Sequence, residues 1–342
     1  MFKSIVRRLN SEISIDLGTA NTIVSIKDVG IVVEQPSVIA VSENPRQIVA
    51  VGSQAKQLIG RAPPNVRVIR PLRDGQISEP EYASKMLELF LRMARTAGSA
   101  WLGRRPIMLI CLPSNSSGIE KRAIREAGHA VGAKEVHLIE EPLAAAVGSG
   151  LDVEKPQGNL LVDIGGGTTD VAVISLGQIV ESKSVRVAGD VFDQAIINYV
   201  SEKYRCKIGE ATAEYIKTNI GTVIEETTET FVDIRAQNIA QNVPQRFSLS
   251  SAEILAPLTT GAKLICGAVK ETMERCPPEL ASDIAGLGMM MTGGGALLRG
   301  MDTLISKETG LHVTIAENPL QCVAKGCEIV LSKRLSGMFL PE

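Results

Sequence analysis

The chain has 342 residues, 44% hydrophobic and 22% charged, with 36 lysines and arginines against 38 acids and a formal net charge of −2. At roughly 150 residues per domain that length suggests about two domains, and the apolar content excludes global disorder. The near-neutral balance offers no bulk-charge basis for binding nucleic acid, and aromatics at 3% provide no stacking platform for single strands.

Cys111, Cys206, Cys266, Cys276, Cys322 and Cys327 form no Cys-x-x-Cys pair and read as reduced, buried thiols. His129, His137 and His312 stand alone, which argues against a zinc site or a histidine-activated nucleophile. No apolar run approaches the ~20 residues of a membrane-spanning helix, and the N-terminus lacks the apolar core of a secretory signal. A cytoplasmic location is the expectation.

In chain order, Phe2, Ile5, Val6 and Leu9 recur at helical spacing, with Lys3, Arg7 and Arg8 off that face and no acid before Glu12. This predicts a short basic amphipathic helix suited to an anionic membrane surface; packing on the protein itself is the alternative. Ile13–Leu17, a Gly18-Thr19-Ala20-Asn21 turn and Thr22–Ile26 read as a β-hairpin with Asp16 near the end of its first strand. Residues 33–70, punctuated by Asn44-Pro45 and Pro63-Pro64, form a small inserted subdomain. Met86, Leu87, Phe90, Leu91 and Met93 predict a helix over 80–97. Trp101 and Leu102 then stand beside Arg104 and Arg105 in a Gly-flanked loop, a second candidate for membrane contact.

A charged helix is expected from Gly118 to Gly132, and a short one over Leu143–Val147 after Glu140-Glu141-Pro142. Pro142 disfavours a helical Glu141 and suits a first helical position. The acids are also accounted for by the helix macrodipole. Leu160–Ile164, a Gly165-Gly166-Gly167-Thr168 turn and Thr169–Ile174 repeat the first hairpin, with Asp163 in the place of Asp16. Glycine turns let backbone approach a ligand, and their N–H groups form anion-binding concavities. Two matched copies therefore point to phosphate, and two aspartates to Mg²⁺ held through its waters.

Gly189–Tyr204 is a helix after a glycine turn, 205–245 a polar second subdomain, and Met289–Thr292 a strand. The strand runs through Gly293-Gly294-Gly295 into a helix expected near Ala296, which would present N–H groups to an anion. Neither G-x-G-x-x-G nor a P-loop occurs. A closing helix is expected over 319–335.

Asp16–Thr22, Glu140-Glu141-Pro142, Asp163–Thr169, Gly189–Asp193 and Gly293–Ala296, in this order, resemble the actin/chaperone/sugar-kinase ATPase superfamily. Within it they resemble the MreB family of bacterial actin homologues, over about Glu12 to Leu331. The resemblance implies an α/β, actin-like ATPase fold: two related domains, each a mixed sheet with flanking helices and a smaller subdomain, around a nucleotide cleft. Residues 1–11 would be the membrane segment. Domain I would take 12–145 plus 318–342, with 33–70 as its subdomain, and domain II 146–317, with 183–245.

It further implies ATP and Mg²⁺ as cofactors. Gly18, Thr19, Ala20 and Asn21 would face phosphate, as would Gly165, Gly166, Gly167 and Thr168. Asp16 and Asp163 would position the metal. Gly189 and Gly293–Ala296 would line the nucleotide, and Glu214 and Lys217 the base or ribose. Glu141 would orient the attacking water with Thr168 as co-ligand. Composition does not separate Glu140 from Glu141; only the register against the family favours Glu141. Many relatives carry Glu where this chain has Asp170.

No arginine finger is evident, so the expected reaction is slow, assembly-linked ATP hydrolysis. The implied function is a membrane-associated filament organising cell-wall synthesis and cell shape on the inner face of the membrane. Partners would be other copies of the chain, the anionic inner membrane surface and elongation proteins such as MreC, RodZ and a penicillin-binding transpeptidase system, with no nucleic acid. A small-molecule kinase or chaperone-like ATPase of the same superfamily is the alternative.

Overall fold

A computed structural model describes residues 12–73, 75–97, 105–114, 116–333 and 335–340. The membrane-contact candidates Phe2, Ile5, Val6, Leu9, Trp101 and Leu102 lie outside the described residues. The chain divides into two compact units. One comprises residues up to Lys155, Leu176–Gln178 and Gln321 onward; the other comprises Pro156–Ser175 and Ile179–Leu320.

The strands of the first unit are β1 (Glu12–Leu17), β2 (Asn21–Ile26), β3 (Gly30–Pro36), β4 (Ile39–Glu43), β5 (Arg46–Val51), β6 (Val66–Ile69), β7 (Leu72–Arg73), β8 (Gln76–Ile77), β9 (Ile107–Leu112) and β10 (Glu135–Glu140). Its main sheet has the order β10-β9-β1-β2-β3, with β1 antiparallel to β2 and parallel to β9. The apolar runs of β1, β2 and β9 are buried on both faces, as expected of strands covered by helices.

Helix Pro80–Ala97 opens on a proline, whose missing N–H costs nothing there, and buries Met86, Leu87, Phe90, Leu91 and Ala94. Met93, read as part of that apolar face, is instead 39% exposed. Helix Gly118–Ala130 starts on a Ser117/Glu120 capping box. Helices Glu141–Gly148 and Cys322–Lys333 touch backbone to backbone. A Cβ on Gly148 would lie 1.8 Å from the Cys322 carbonyl oxygen, and one on Gly326 as close to that of Ala144. Strands β5-β4-β6 form a separate three-stranded sheet.

The second unit contains β11 (Asn159–Ile164), β12 (Thr169–Ser175), β13 (Gln178–Val185), β14 (Cys206–Lys207), β15 (Phe231–Asn238), β16 (Pro244–Ser250), β17 (Met289–Thr292) and β18 (Val313–Ile315). Its main sheet runs β13-β12-β11-β17-β18, and β14-β15-β16 form a second sheet. Again the first strand is antiparallel to its hairpin partner and parallel to the next, β17. The two main sheets therefore share one wiring, and the repeated motif is the central hairpin of each. Helix Ser251–Arg275 is long and apolar enough to cross a membrane, but it buries a stripe of Ile254, Leu258, Ala262, Ile265 and Val269 in this unit's core. All six cysteines are free and buried.

Candidate functional site

In the first unit, Asp16 is the penultimate residue of β1, 8% exposed, in register with Ile23 of β2 and Cys111 of β9. The chain then turns through Gly18, Thr19 and Ala20. A Cβ at Gly18 would sit 2.7 Å from the Asn21 carbonyl oxygen, which is why the turn takes glycine. Ser37, fully buried just after β3, braces the turn. Its hydroxyl donates to the Gly18 carbonyl at 2.6 Å, its N–H donates to Ala20 at 2.9 Å, and its oxygen lies 2.9 Å from the Thr22 hydroxyl.

The N–H groups of Thr19 and Ala20 have no partner among the described residues. Glu140 ends β10 with extended backbone, and burial raises its carboxyl against the pull of Lys121. Glu141 is the first residue of its helix, one place earlier than the proline rule suggests. Pro142 falls second, where an N–H is still not needed.

The second unit repeats the turn with more support. Asp163 is penultimate in β11, 3% exposed, opposite Asp170 and beside Thr292, whose hydroxyl donates to it at 2.8 Å. Burial pushes its carboxyl up to about 7; the Thr292 bond opposes this and Asp170 adds to it. The turn closes with the Gly165 N–H on Thr168 at 2.9 Å. The N-terminal end of helix Gly189–Tyr204 is anchored on it by N–H bonds from Gly189 to Gly165 and from Asp190 to Gly166, at 3.2 and 2.8 Å. The N–H groups of Gly166, Gly167 and Thr168 have no partner among the described residues.

From the other side, Gly293 takes φ +80, and a Cβ there would lie 2.3 Å from the Ile164 carbonyl oxygen and 2.7 Å from an Asp163 oxygen. A Cβ at Gly295 would enter the Ile164 side chain at 2.1 Å. Lys217, on helix Glu210–Ile220, donates to the Gly189 carbonyl at 3.0 Å and pairs with Asp193 at 2.8 Å. Burial still pushes Asp193 up to about 6 against Lys217, and Glu214 and Asp190 add to the rise.

Thus Asp163, Gly165–Thr168, Gly189, Gly293–Ala296, Glu214 and Lys217 are gathered within the second unit. Asp16, Gly18–Asn21 and Glu141 stand in the first. One expectation is corrected: no α-helix starts near Ala296. Gly294–Leu297 is a single 3₁₀ turn, the Gly293 N–H is spent on Pro319, and the helix begins at Met301 after left-handed Gly300. The reason is tertiary, because Arg299 is drawn into a bridge with Thr222 and its carbonyl accepts the Val223 N–H at 3.0 Å. Two supporting residues, Ser37 and Thr292, escaped the motif reading. Thr292 directly precedes Gly293 and could have been found from that position; nothing in sequence ties Ser37 to Gly18.

The MreB/Mbl protein family model matches residues 10–336. The cell shape-determining protein MreB of Escherichia coli K12 is 48% identical over 330 residues, spanning 95% of this chain and 94% of that protein. The cell shape-determining protein Mbl of Bacillus subtilis is 44% identical over 320 residues, spanning 94% and 95%. The crystal structure of Spiroplasma citri MreB5 bound to AMPPNP superposes with a TM-score of 0.89 at 35% identity, covering 96% of this chain and 98% of that one. Its ADP-bound form gives 0.90. With one hairpin motif at the centre of two identically wired sheets, and with these similarities along its length, the chain belongs to the MreB/Mbl family and has its actin-like fold.

Proposed function

We propose that the chain binds ATP with Mg²⁺, polymerises into filaments on the inner face of the membrane, hydrolyses the nucleotide slowly and acts in cell-shape determination. One observation carries the nucleotide reading. Two equivalent turns, each beside a buried aspartate, carry backbone N–H groups that have no partner among the described residues, in a chain similar to a protein crystallised with AMPPNP and ADP.

In this reading Thr19–Asn21 and Gly166–Thr168 donate to phosphate oxygens. Asp16 and Asp163 hold Mg²⁺ through its waters, since Mg²⁺ dehydrates reluctantly. The residues fit such a cation: burial keeps Asp163 near neutrality, and a nearby positive charge would ionise it. Bound Mg²⁺ supplies charge neutralisation of the phosphates. Glu141, at the first position of its helix, orients the attacking water, and Thr168 contributes its hydroxyl. The cell-shape role is drawn from the named role of the Escherichia coli and Bacillus subtilis relatives. The basic N-terminal segment and the Trp101 loop are assigned to the membrane. A single copy of each is marginal there, so avidity along a polymer makes the filament the bound species.

The test is co-sedimentation of the purified chain with anionic vesicles, with and without Mg-ATP, with the pellets imaged by negative stain. ATP-dependent filaments on vesicles are expected. A monomer that turns over ATP under every condition but never assembles would sink the polymer reading and favour a discrete kinase or chaperone-like ATPase.

A further inference from the structure

The outer face of the three-stranded sheet β14-β15-β16 is built against its own stability. Strand β15 alternates strictly, with Val232, Ile234 and Ala236 buried and Phe231, Asp233, Arg235 and Gln237 exposed. The register sets Arg235 directly opposite Arg246 of β16, and Gln237 beside Lys207 of β14. Like charges directly opposite across an antiparallel pair are destabilising. Neither arginine nor Lys207 has an ion-pair or hydrogen-bond partner among the described residues, whereas Lys183, Lys203, Lys217, Lys270 and Arg275 of the same unit are each paired with an acid. At one end of the same strand Phe231 is 64% exposed, and at the hairpin tip Val243 is 47% exposed.

Local choices that oppose the fold concentrate at functional sites. Exposed arginines and an exposed phenylalanine on one sheet face match the composition of protein interfaces. We propose that this face is a docking surface for an acidic segment of a partner protein, its carboxylates seated on Arg235, Arg246 and Lys207 and an apolar side chain on Phe231. Arginine suits this work because its planar fork pairs with carboxylate in a bidentate manner. Asp233 selects among anions: it stands on the same face, next to Arg235 along the strand, and repels a continuous run of phosphates. A polypeptide meets it with a backbone N–H or a lysine. The site is separate from the nucleotide turns and does not depend on the reading given for them.

The test measures, by fluorescence anisotropy, binding of a short labelled peptide of glutamates and one leucine to the full chain. It compares wild type with Arg235→Ser, Arg246→Ser and a lysine double variant. The expected result is salt-dependent binding that falls roughly tenfold in each serine variant and is largely kept with lysine. Arg246→Ser is also expected to melt at a higher temperature than wild type, because the repulsion is gone; that gain marks the loss of binding as functional and not a folding defect. No binding to wild type, or binding unchanged in the serine variants, overturns the proposal. So does a serine-sensitive preference for a single-stranded oligonucleotide or an anionic vesicle over the peptide, or a serine-sensitive dimer without any peptide; each of these assigns the face to a different occupant. A lower melting temperature for Arg246→Ser would show the arginines to be a structural pair and would equally overturn it.

Discussion

The two phosphate turns share a sequence pattern and a place in their sheets, yet they are supported differently. In the first unit the turn after Asp16 is braced, among the described residues, by the buried side chain and N–H of Ser37. In the second, the turn after Asp163 is held by the start of helix Gly189–Tyr204 on one side and by Gly293 and Gly295 on the other. The neighbouring parallel strand adds a second contrast. Where β17 offers the Thr292 hydroxyl to Asp163, β9 sets Cys111 beside Asp16, a thiol that burial, its hydrogen bond with Cys327 and the Asp16 charge keep protonated. A repeated motif thus records a common backbone path, while rigidity and electrostatics are supplied by whatever packs behind it.

The largest test of that difference is Gly293→Ala. It puts a Cβ against two β11 oxygens at a left-handed φ, and we expect about 3 kcal/mol or more of destabilisation in urea unfolding, with nucleotide binding lost in parallel. A loss under about 1 kcal/mol would mean that the second turn is as loosely held as the first.

Asp163→Asn comes next. It keeps an acceptor for Thr292 but removes the charge, and should weaken Mg²⁺-dependent binding of an ATP analogue roughly 10- to 100-fold while leaving Mg²⁺-free binding nearly unchanged. The same variant tests the electrostatics. Asp163 sits at about 7 in the folded chain against an ordinary 3.8, so between those values the native state holds a proton that the unfolded chain has released. Without Mg²⁺, stability should therefore fall as pH rises from about 4 to about 7, by up to about 4 kcal/mol, and level off above. Asp193 adds a trend of the same sign up to about 6. Melting temperatures across that range should flatten in Asp163→Asn; an unchanged slope would assign the titration elsewhere.

Lys217→Met sharpens the comparison by removing one buttress of the second turn. It leaves Asp193 mostly buried without its cation and frees the Gly189 carbonyl, for an expected loss of about 2 kcal/mol in thermal unfolding. The smallest effect is expected from Ser37→Ala, about 1–2 kcal/mol, since the Gly18 carbonyl and the Thr22 hydroxyl lose one partner each. Exchange of the backbone N–H at position 37, which donates to Ala20, should then quicken while that of Gly165, which donates to Thr168, stays as in the wild type; equal quickening at both turns would show that they are not separately braced.

Much was legible in advance because it is local. The helix over 80–97 falls where its periodicity puts it, the helix over 189–204 follows its glycine turn as expected, and the two hairpins follow from apolar strands flanking glycine turns. The miss at Ala296 has the opposite character. Strand, glycines and an apolar continuation read as a helix start, but a bridge between Arg299 and Thr222 holds the chain extended until Gly300. Met93 fits its helical stripe by spacing and still faces solvent, because spacing says which residues share a face and not how far the covering sheet extends.

The sequence by itself determined the pair of hairpins, the aspartate near each strand end, the buried reduced cysteines and the family pattern, since each rests on neighbours within a few residues. Only the tertiary structure decided that Thr292 neutralises part of the Asp163 burial, that Ser37 braces Gly18, that Lys217 is spent on Gly189 and Asp193, and that Arg235 faces Arg246. Those partners stand 11 to 129 positions apart, and strand register with helix packing, not local preference, brings them together.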